Sequence, residues 1–250
     1  MTSVKNNKLP SLKVYQTAES AAYRLAEEIL DYSAKTIQEK EKCVWAMSGG
    51  SSIIKLYEAM KHLKKMNDSF WKHLIVCWVD ERHVPHEHSE SNYGNACRCF
   101  WDQIYGTRLV PVPYHPSLEK SAIEYQKNLY DYGIGQAREI DILILGMGAD
   151  GHTASLFPNM NKNGEWDSEK HIITSRHKGT ERISLNFSLL NRSGKIRFLA
   201  YGAEKGVTFK RAYDSMNRDI YPFLGIKNHH SKFYVDQRFF DSTQIQTIKS

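Results

Sequence analysis

Three glycines, a carboxylate and an imidazole stand together in Gly146-Met147-Gly148-Ala149-Asp150-Gly151-His152-Thr153, directly after the apolar run Ile140-Asp141-Ile142-Leu143-Ile144-Leu145. An imidazole exchanges protons near neutral pH, a carboxylate supplies fixed negative charge, and glycines let a ligand approach the backbone. The apolar run is short enough to be one buried strand, and open α/β sheets bind ligands beyond the ends of such strands. The segment also imitates two nucleotide motifs. Gly146, Gly148 and Gly151 fit G-x-G-x-x-G, but that fingerprint opens a long helix, whereas Pro158 and the polar residues 159–164 cut any helix short. Gly146 to Thr153 fits a P-loop except that His152 stands where a lysine must reach the phosphates, so that match fails.

Further constellations stand at other strand ends. Ser48-Gly49-Gly50-Ser51-Ser52 joins Cys43-Val44-Trp45-Ala46-Met47 to a helix with Leu56, Met60 and Leu63 on its apolar face. Glycines before a helix N-terminus offer backbone N–H groups to an anion, although an ordinary turn has the same composition. Ala46 to Gly50 approximates a nucleophile elbow with alanine in place of its first glycine, which makes Ser48 a candidate nucleophile. Asp80-Glu81-Arg82-His83-Val84-Pro85 follows the run 74–79; it suits acid–base or phosphate chemistry, and surface ion pairs equally. Arg182 and Lys205 are single cations in strand contexts, fit for a phosphate or for solvent. His83, His86 and His88, with Cys97 and Cys99, match no standard zinc spacing, so no metal is expected.

These groups need a scaffold, and strand-like and helix-like segments alternate along the chain. Thr17 reads as an N-cap for a helix over 18–40 with Ala22, Leu25, Ile29 and Tyr32 on one face. Strands are expected at 43–47, 74–79, 140–145, 182–187, 196–201 and 232–236, and helices near 53–65, 91–104, 119–132 and 203–217. That order predicts one α/β domain over residues 1–250, with a mainly parallel open sheet, Rossmann-like, covered by helices on both faces. Val110-Pro111-Val112-Pro113 reads as extended connection, because neither proline suits a central strand.

Composition excludes several classes. At 250 residues and 41% hydrophobic content the chain can bury a core. Residues 1–8 hold no apolar signal region and no run approaches a membrane span, so a cytoplasmic protein without membrane contact is expected. Cys43 and Cys77 lie in strand-like runs and read as buried thiols, with no disulfide expected. The net charge of +6 is concentrated in residues 195–250, which carry ten Lys or Arg against five Asp or Glu. The charges are interspersed rather than run together, which argues against nucleic acid and fits a mildly basic surface or attraction of a small phosphorylated substrate.

Taken together these segments resemble the 6-phosphogluconolactonase family, within the wider glucosamine-6-phosphate isomerase/deaminase-like group, over nearly the whole chain. The resemblance is carried by Ser48-Gly49-Gly50-Ser51-Ser52, by Asp80 to Pro85 continuing to Ser91-Asn92-Tyr93, and above all by Gly146 to Pro158. Arg182-Ile183-Ser184-Leu185, Gly202-Ala203-Glu204-Lys205, Tyr221-Pro222 and Phe233-Tyr234-Val235-Asp236 add weaker support. Sister deaminases follow the histidine with an Ile-Ala-Phe-Asn-Glu-Pro type of sequence and have tyrosine after Asp-Glu; this chain has Thr153-Ala154-Ser155-Leu156-Phe157-Pro158 and Arg82. One departure is Ile53, where the family's glycine loop usually has proline; altered loop stiffness is expected, with function kept.

The resemblance implies a glucosamine-6-phosphate deaminase-like fold and hydrolysis of 6-phosphoglucono-δ-lactone to 6-phosphogluconate, the second step of the oxidative pentose phosphate pathway, with no cofactor. On it, His152 is the base that activates water and Asp150 orients its ring. Gly49, Gly50, Ser51, Asp80, Arg82, Arg182 and Lys205 are the substrate-binding set, with Lys205 and Arg182 matching the family's basic positions. Arg82 serves either phosphate or carbonyl. A sugar-phosphate isomerase or deaminase and a non-catalytic sugar-phosphate binder are the alternatives. Association with glucose-6-phosphate dehydrogenase, which makes the substrate, stays open.

Overall fold

The computed structural model describes residues 10–63, 67–161, 163–227 and 231–245. In chain order its elements are β1 (Ser11–Tyr15), α1 (Ala18–Lys40), β2 (Cys43–Met47), α2 (Ser51–Leu63), α3 (Asp68–Trp71), β3 (Leu74–Trp78), β4 (Asp80–Arg82), α4 (Asn92–Cys99), β5 (Arg108–Val110), α5 (Leu118–Asp131), β6 (Ile142–Gly146), β7 (Ile172–His177), β8 (Thr180–Leu185), α6 (Phe187–Leu190), β9 (Lys195–Ala200), α7 (Ala203–Ser215), β10 (Lys232–Asp236) and α8 (Gln237–Thr243). Seven strands pair in parallel in the order β1-β10-β9-β6-β2-β3-β5. Every residue of β2 and β3 is buried, as a sheet covered on both faces requires. Alternation along β2 sends Val44 and Ala46 into one core with α5, α7 and α8, and Cys43, Trp45 and Met47 into another with α1 and α2.

From β2 the chain builds outward through β3 to β5, then returns to place β6 on the other side of β2 and continues through β9 to β10. The direction of growth therefore reverses between β2 and β6. Loops leaving neighbouring strands at such a switch point part and open a crevice, and the two that do so here are the glycine loop 48–50 and the His152 loop.

The predicted helix over 18–40 is α1 to the residue, with Thr17 and Ser20 forming a reciprocal cap. Other boundaries moved for local reasons. The strand expected from residue 140 begins at Ile142, because the Asp141 carboxylate is taken by the Val44 N–H at 2.8 Å and Lys40 Nζ at 3.0 Å. The helix expected over 91–104 ends at Cys99 and gives way to a single 3₁₀ turn at Trp101–Gln103. Val110 closes edge strand β5, and the connection begins at Pro111. The last two residues of the helix expected at 53–65, and the reading of residues 1–8, lie outside the described residues.

The strand expected at 182–187 does not join the parallel sheet. As β8 it pairs antiparallel with β4 and with β7, a strand absent from the sequence reading, to form a separate three-stranded sheet. Arg182 accordingly lies within a strand and not at its start.

Glu81 fixes this small sheet to α4. Its carboxylate, 2% exposed, accepts from the backbone N–H groups of Arg82, Asn92 and Tyr93 and from Ser91 Oγ, at 2.7–3.0 Å. Burial pushes the Glu81 carboxyl up from the ordinary range, against the pull of those four donors. Glu81→Ala strands them in a dry interior and should cost at least about 3 kcal/mol. For a chain of this size that is a Tm lower by roughly 6–12 °C in a thermal melt. An unchanged melt would show that the donors find other acceptors.

Candidate active site

The diverging loops enclose a cleft of about 280 Å³ lined by Ser48 to Ser52, Asp80, Arg82, Asn92, Gly146 to Ala149, His152, Ala154, Arg182 and Lys205. All the binding residues expected from the sequence line it, and so does His152. Asp150 stands behind His152, with Oδ1 at 2.5 Å from the ring Nδ1 and 3.1 Å from the His152 backbone N–H. A carboxylate only accepts, so in the neutral ring this contact favours the proton on Nδ1 and leaves the lone pair on Nε2. Burial works to raise the Asp150 carboxyl, but the hydrogen bond and charge of His152 and the backbone donors outweigh it and hold the group at about 2. Asp150 is therefore ionised throughout the working range of an imidazole.

The His152 loop is closed on itself and tied down at several points. Gly148 N–H donates to the His152 carbonyl at 2.8 Å and Gly151 N–H to the Gly148 carbonyl at 3.0 Å. Thr153 Oγ1 returns to the Gly146 carbonyl, Thr208 Oγ1 on α7 holds the Ala149 carbonyl, and the Phe223 N–H holds that of Gly151. Ala154 pays for the tightness with a left-handed φ of 51°. Only glycine fits at 148: a Cβ there would lie 2.1 Å from His152 Nδ1 and 2.5 Å from Asp150 Oδ1.

The glycine loop is shaped from the other side. A Cβ at Gly49 would lie 1.8 Å from Asn92 Oδ1, while Asn92 Nδ2 is committed to the Asp80 carbonyl at 2.9 Å. Gly50 caps α2 through its carbonyl, which accepts from the N–H groups of Ile53 and Ile54. The helix thus begins at Ser51, two residues before Ile53, without the family's proline. Ser48 Oγ is buried with no hydrogen-bond partner among the described residues, so no base activates it and the elbow reading of Ser48 gains nothing.

The small sheet supplies the cations. Arg82 and Arg182 are direct cross-strand partners on β4 and β8, an arrangement two like charges oppose. Arg82 Nη1 donates to the Glu90 carbonyl at 2.6 Å, and the Nε of each arginine is buried without a protein partner among the described residues. Burial, then the charge of Arg82, lowers the Arg182 pKa. Lys205 enters from the first turn of α7, and burial lowers its pKa against the opposing pull of Glu204. Cations gathered in this way fit a multiply charged anion. Asp80 lines the same cleft with Oδ2 already committed to Ser155 Oγ at 2.7 Å.

Sequence reading did not single out Gly148, Asn92, Ser155 or Phe157 as site residues, although all four lie inside motifs it quoted. The histidines near Cys97 scatter: His83 Nε2 meets the His115 carbonyl, His86 Nε2 meets that of Val112, and His88 Nδ1 accepts from the Glu90 N–H. No group of three or more His, Cys, Asp or Glu among the described residues is placed to hold a metal ion. Burial pushes the Cys43 and Cys77 thiols up to about 12.

A family model described as glucosamine-6-phosphate isomerases/6-phosphogluconolactonase matches residues 16–235. A 6-phosphogluconolactonase of Neisseria meningitidis is 29% identical over 226 residues, covering 86% of this chain and 93% of that one. The crystal structure of a 6-phosphogluconolactonase from Shewanella baltica superimposes with a TM-score of 0.81 at 22% identity, covering 92% of this chain and 97% of that one. A monomeric glucosamine-6-phosphate deaminase of the NagB superfamily superimposes with a TM-score of 0.78 at 15% identity, covering 93% and 99%. The fold is therefore the deaminase-like fold expected from the sequence, and it is common to both activities.

Gly148→Ala places a methyl group inside the contact between Asp150 and His152 and must displace one of them. Because catalysis falls by about 10²-fold for misplacements near 1 Å, turnover should drop at least that far while the thermal melt changes little. Wild-type turnover in a folded Gly148→Ala protein would show that the ring's position is not critical.

Proposed function

The chain belongs to the glucosamine-6-phosphate isomerase/6-phosphogluconolactonase family, and from that premise we propose that it hydrolyses 6-phospho-D-glucono-1,5-lactone to 6-phosphogluconate with water activated by His152. The observation that carries the mechanism is the 2.5 Å contact between Asp150 and His152 at the wall of a cleft that also gathers Arg82, Arg182 and Lys205. The similarity to a lactonase over nearly its full length supports the activity. So do Thr153 to Pro158 and Arg82, which depart from the deaminase pattern.

Nε2 takes a proton from water as the oxygen attacks C1, and the charge of Asp150 stabilises the imidazolium that forms. The carbonyl electrons move onto oxygen, where the N–H groups of Gly49 and Gly50 or the Arg82 guanidinium are the donors at hand. Collapse of the tetrahedral intermediate breaks the bond from C1 to the ring oxygen, which receives the proton from Nε2. The new carboxylic acid ionises to 6-phosphogluconate. The 6-phosphate is held by Arg182 and Lys205, with Ser51 at the mouth, and that remote anchor positions C1 against His152.

A coupled assay, in which freshly generated lactone disappears faster than its spontaneous hydrolysis, tests the activity; ammonia released from glucosamine 6-phosphate would favour the sister reaction instead. His152→Ala should lower kcat by about 10²–10⁴ and keep affinity for 6-phosphogluconate. Ser48→Ala should retain substantial activity, and a covalent adduct on Ser48 in rapidly quenched reactions would replace the direct attack of water.

Lys205→Ala should lose about 10- to 150-fold in kcat/KM on the phosphorylated lactone and almost nothing on unphosphorylated gluconolactone. Equal losses on the two would remove Lys205 from the phosphate. Since burial lowers the Lys205 pKa, its cation is lost at a lower pH than that of an exposed lysine. Product affinity should therefore weaken early on the alkaline side, and Lys205→Arg should hold it to higher pH.

A further inference from the structure

Alternation along the antiparallel strands puts Asp80 and Arg82 of β4, Arg182 and Ser184 of β8, and Ser175 and His177 of β7 on one face of the small sheet. The hydrogen bonds agree with that assignment. Ser155 lies across this face, donating from Oγ to Asp80 and from its N–H to Ser184 Oγ, while its carbonyl accepts from Ser175 Oγ. Apart from Ile173, which shares this face opposite Ser184, the surface is polar where the His152 loop is laid on it.

His177 is the member that the functional reading leaves without a task. Its ring lies flat on Phe157, with centroids 3.9 Å apart and planes within 2°. Phe157 in turn packs against the His152 ring at 4.7 Å, and the Arg182 guanidinium lies 5.2 Å from its centroid. These groups line an outer lobe of the cleft, together with Arg82, Asp150, Lys178 and Glu204. Arg82 and Arg182 line both the inner cleft and this lobe. His177, diagonal to Arg182 across the β7–β8 pairing in which Ser175 is the direct partner, adds a third ionisable group on the lobe side only, next to Lys178 at the tip of the hairpin.

We propose that His177 is a further substrate-binding residue, beside Arg182, whose imidazole becomes cationic when the 6-phosphate binds at Arg182, a cation that lines both the inner cleft and the outer lobe. The inference rests on the reading of the substrate as a phosphorylated sugar lactone. In the unliganded protein, burial disfavours the charged ring, as do Lys178, Arg182 and His152; Asp150 opposes them. Among the groups facing it, Arg82 of β4 adds positive charge and Glu204 of α7 negative. A phosphate dianion at Arg182 reverses that balance, and the ring takes a proton from solvent as it accepts the ligand. Its stacking on Phe157 holds it in place for that contact, so little side-chain freedom is lost on binding.

The test is calorimetric titration of 6-phosphogluconate at pH 7.5, in buffers of different ionisation enthalpy, which counts protons taken up on binding. His177→Gln should lose part of the wild-type uptake and raise KM on the phosphorylated lactone about 10-fold, with kcat within about twofold. His177→Lys, charged throughout, should keep KM near wild type and lose the same part of the uptake. Wild-type uptake in both variants would overturn the inference and leave the proton to another group. A fall in kcat at constant KM in both would also overturn it, because that is the mark of support for Phe157 alone. Sulfate, a dianion with nothing to titrate, separates this inference from the functional reading. His177-dependent uptake with sulfate upholds His177 as an anion-binding residue even where the lactone is not turned over. Lactone turnover without such uptake for either ligand removes His177 from the phosphate site and leaves the reading intact.

Discussion

The hydrogen bond between Asp150 and His152 is a constraint that much of the surrounding structure serves. Two side chains only two residues apart can meet ring to carboxylate only if the backbone between them turns sharply and nothing stands in the bend. Gly148 leaves the space that a methyl group would fill, and its N–H closes the loop onto the His152 carbonyl. Thr153, Thr208 and Phe223 pin the same loop from three directions, and Ala154 accepts a left-handed backbone to complete it. Rigidity of this kind has value where a lone pair must be presented to a small nucleophile at a fixed distance from a bound carbonyl.

The two sheets divide the work. The parallel sheet, through its reversal between β2 and β6, opens the crevice and places the glycine loop opposite the His152 loop. The antiparallel sheet carries guanidinium groups across the mouth, and pairing Arg82 with Arg182 costs repulsion that an anion relieves. Ser155 joins the two systems, since this one residue of the segment that follows His152 contacts β4, β7 and β8 through hydrogen bonds. The His152 loop and the strands that carry the two arginines are therefore joined through one hydrogen-bonded network.

Five of the seven parallel strands were legible in the sequence because β2, β3, β6, β9 and β10 are apolar runs bounded by glycine, polar turns or caps. The edge strands β1 and β5 were not, since β1 has no fully buried residue and β5 is three residues long. The site loops were legible because Gly146 to Pro158, Ser48 to Ser52 and Asp80 to Pro85 directly follow such runs. The small sheet was not legible. β7 has only two buried residues, Ile172 and Ile173, and β4 is three residues long, so neither gives a periodic signal. β8 looks like one more buried strand because Ile183 and Leu185 face the core, while its polar alternates Arg182 and Ser184 face a loop distant in sequence. Without that sheet Arg182 reads as a strand-end cation, and the contacts of Ser155, Phe157 and His177 cannot be foreseen.

The central claim is that Asp150 fixes the proton on Nδ1 of His152 and leaves Nε2 as the base. Long-range nitrogen–proton NMR of the ring, recorded at the pH of highest turnover, reads that tautomer directly. The account predicts a protonated Nδ1 and a bare Nε2 in the wild type, and loss of that preference in Asp150→Ala. A wild-type ring with its proton on Nε2 would contradict it, because no lone pair would then remain to receive a proton from water.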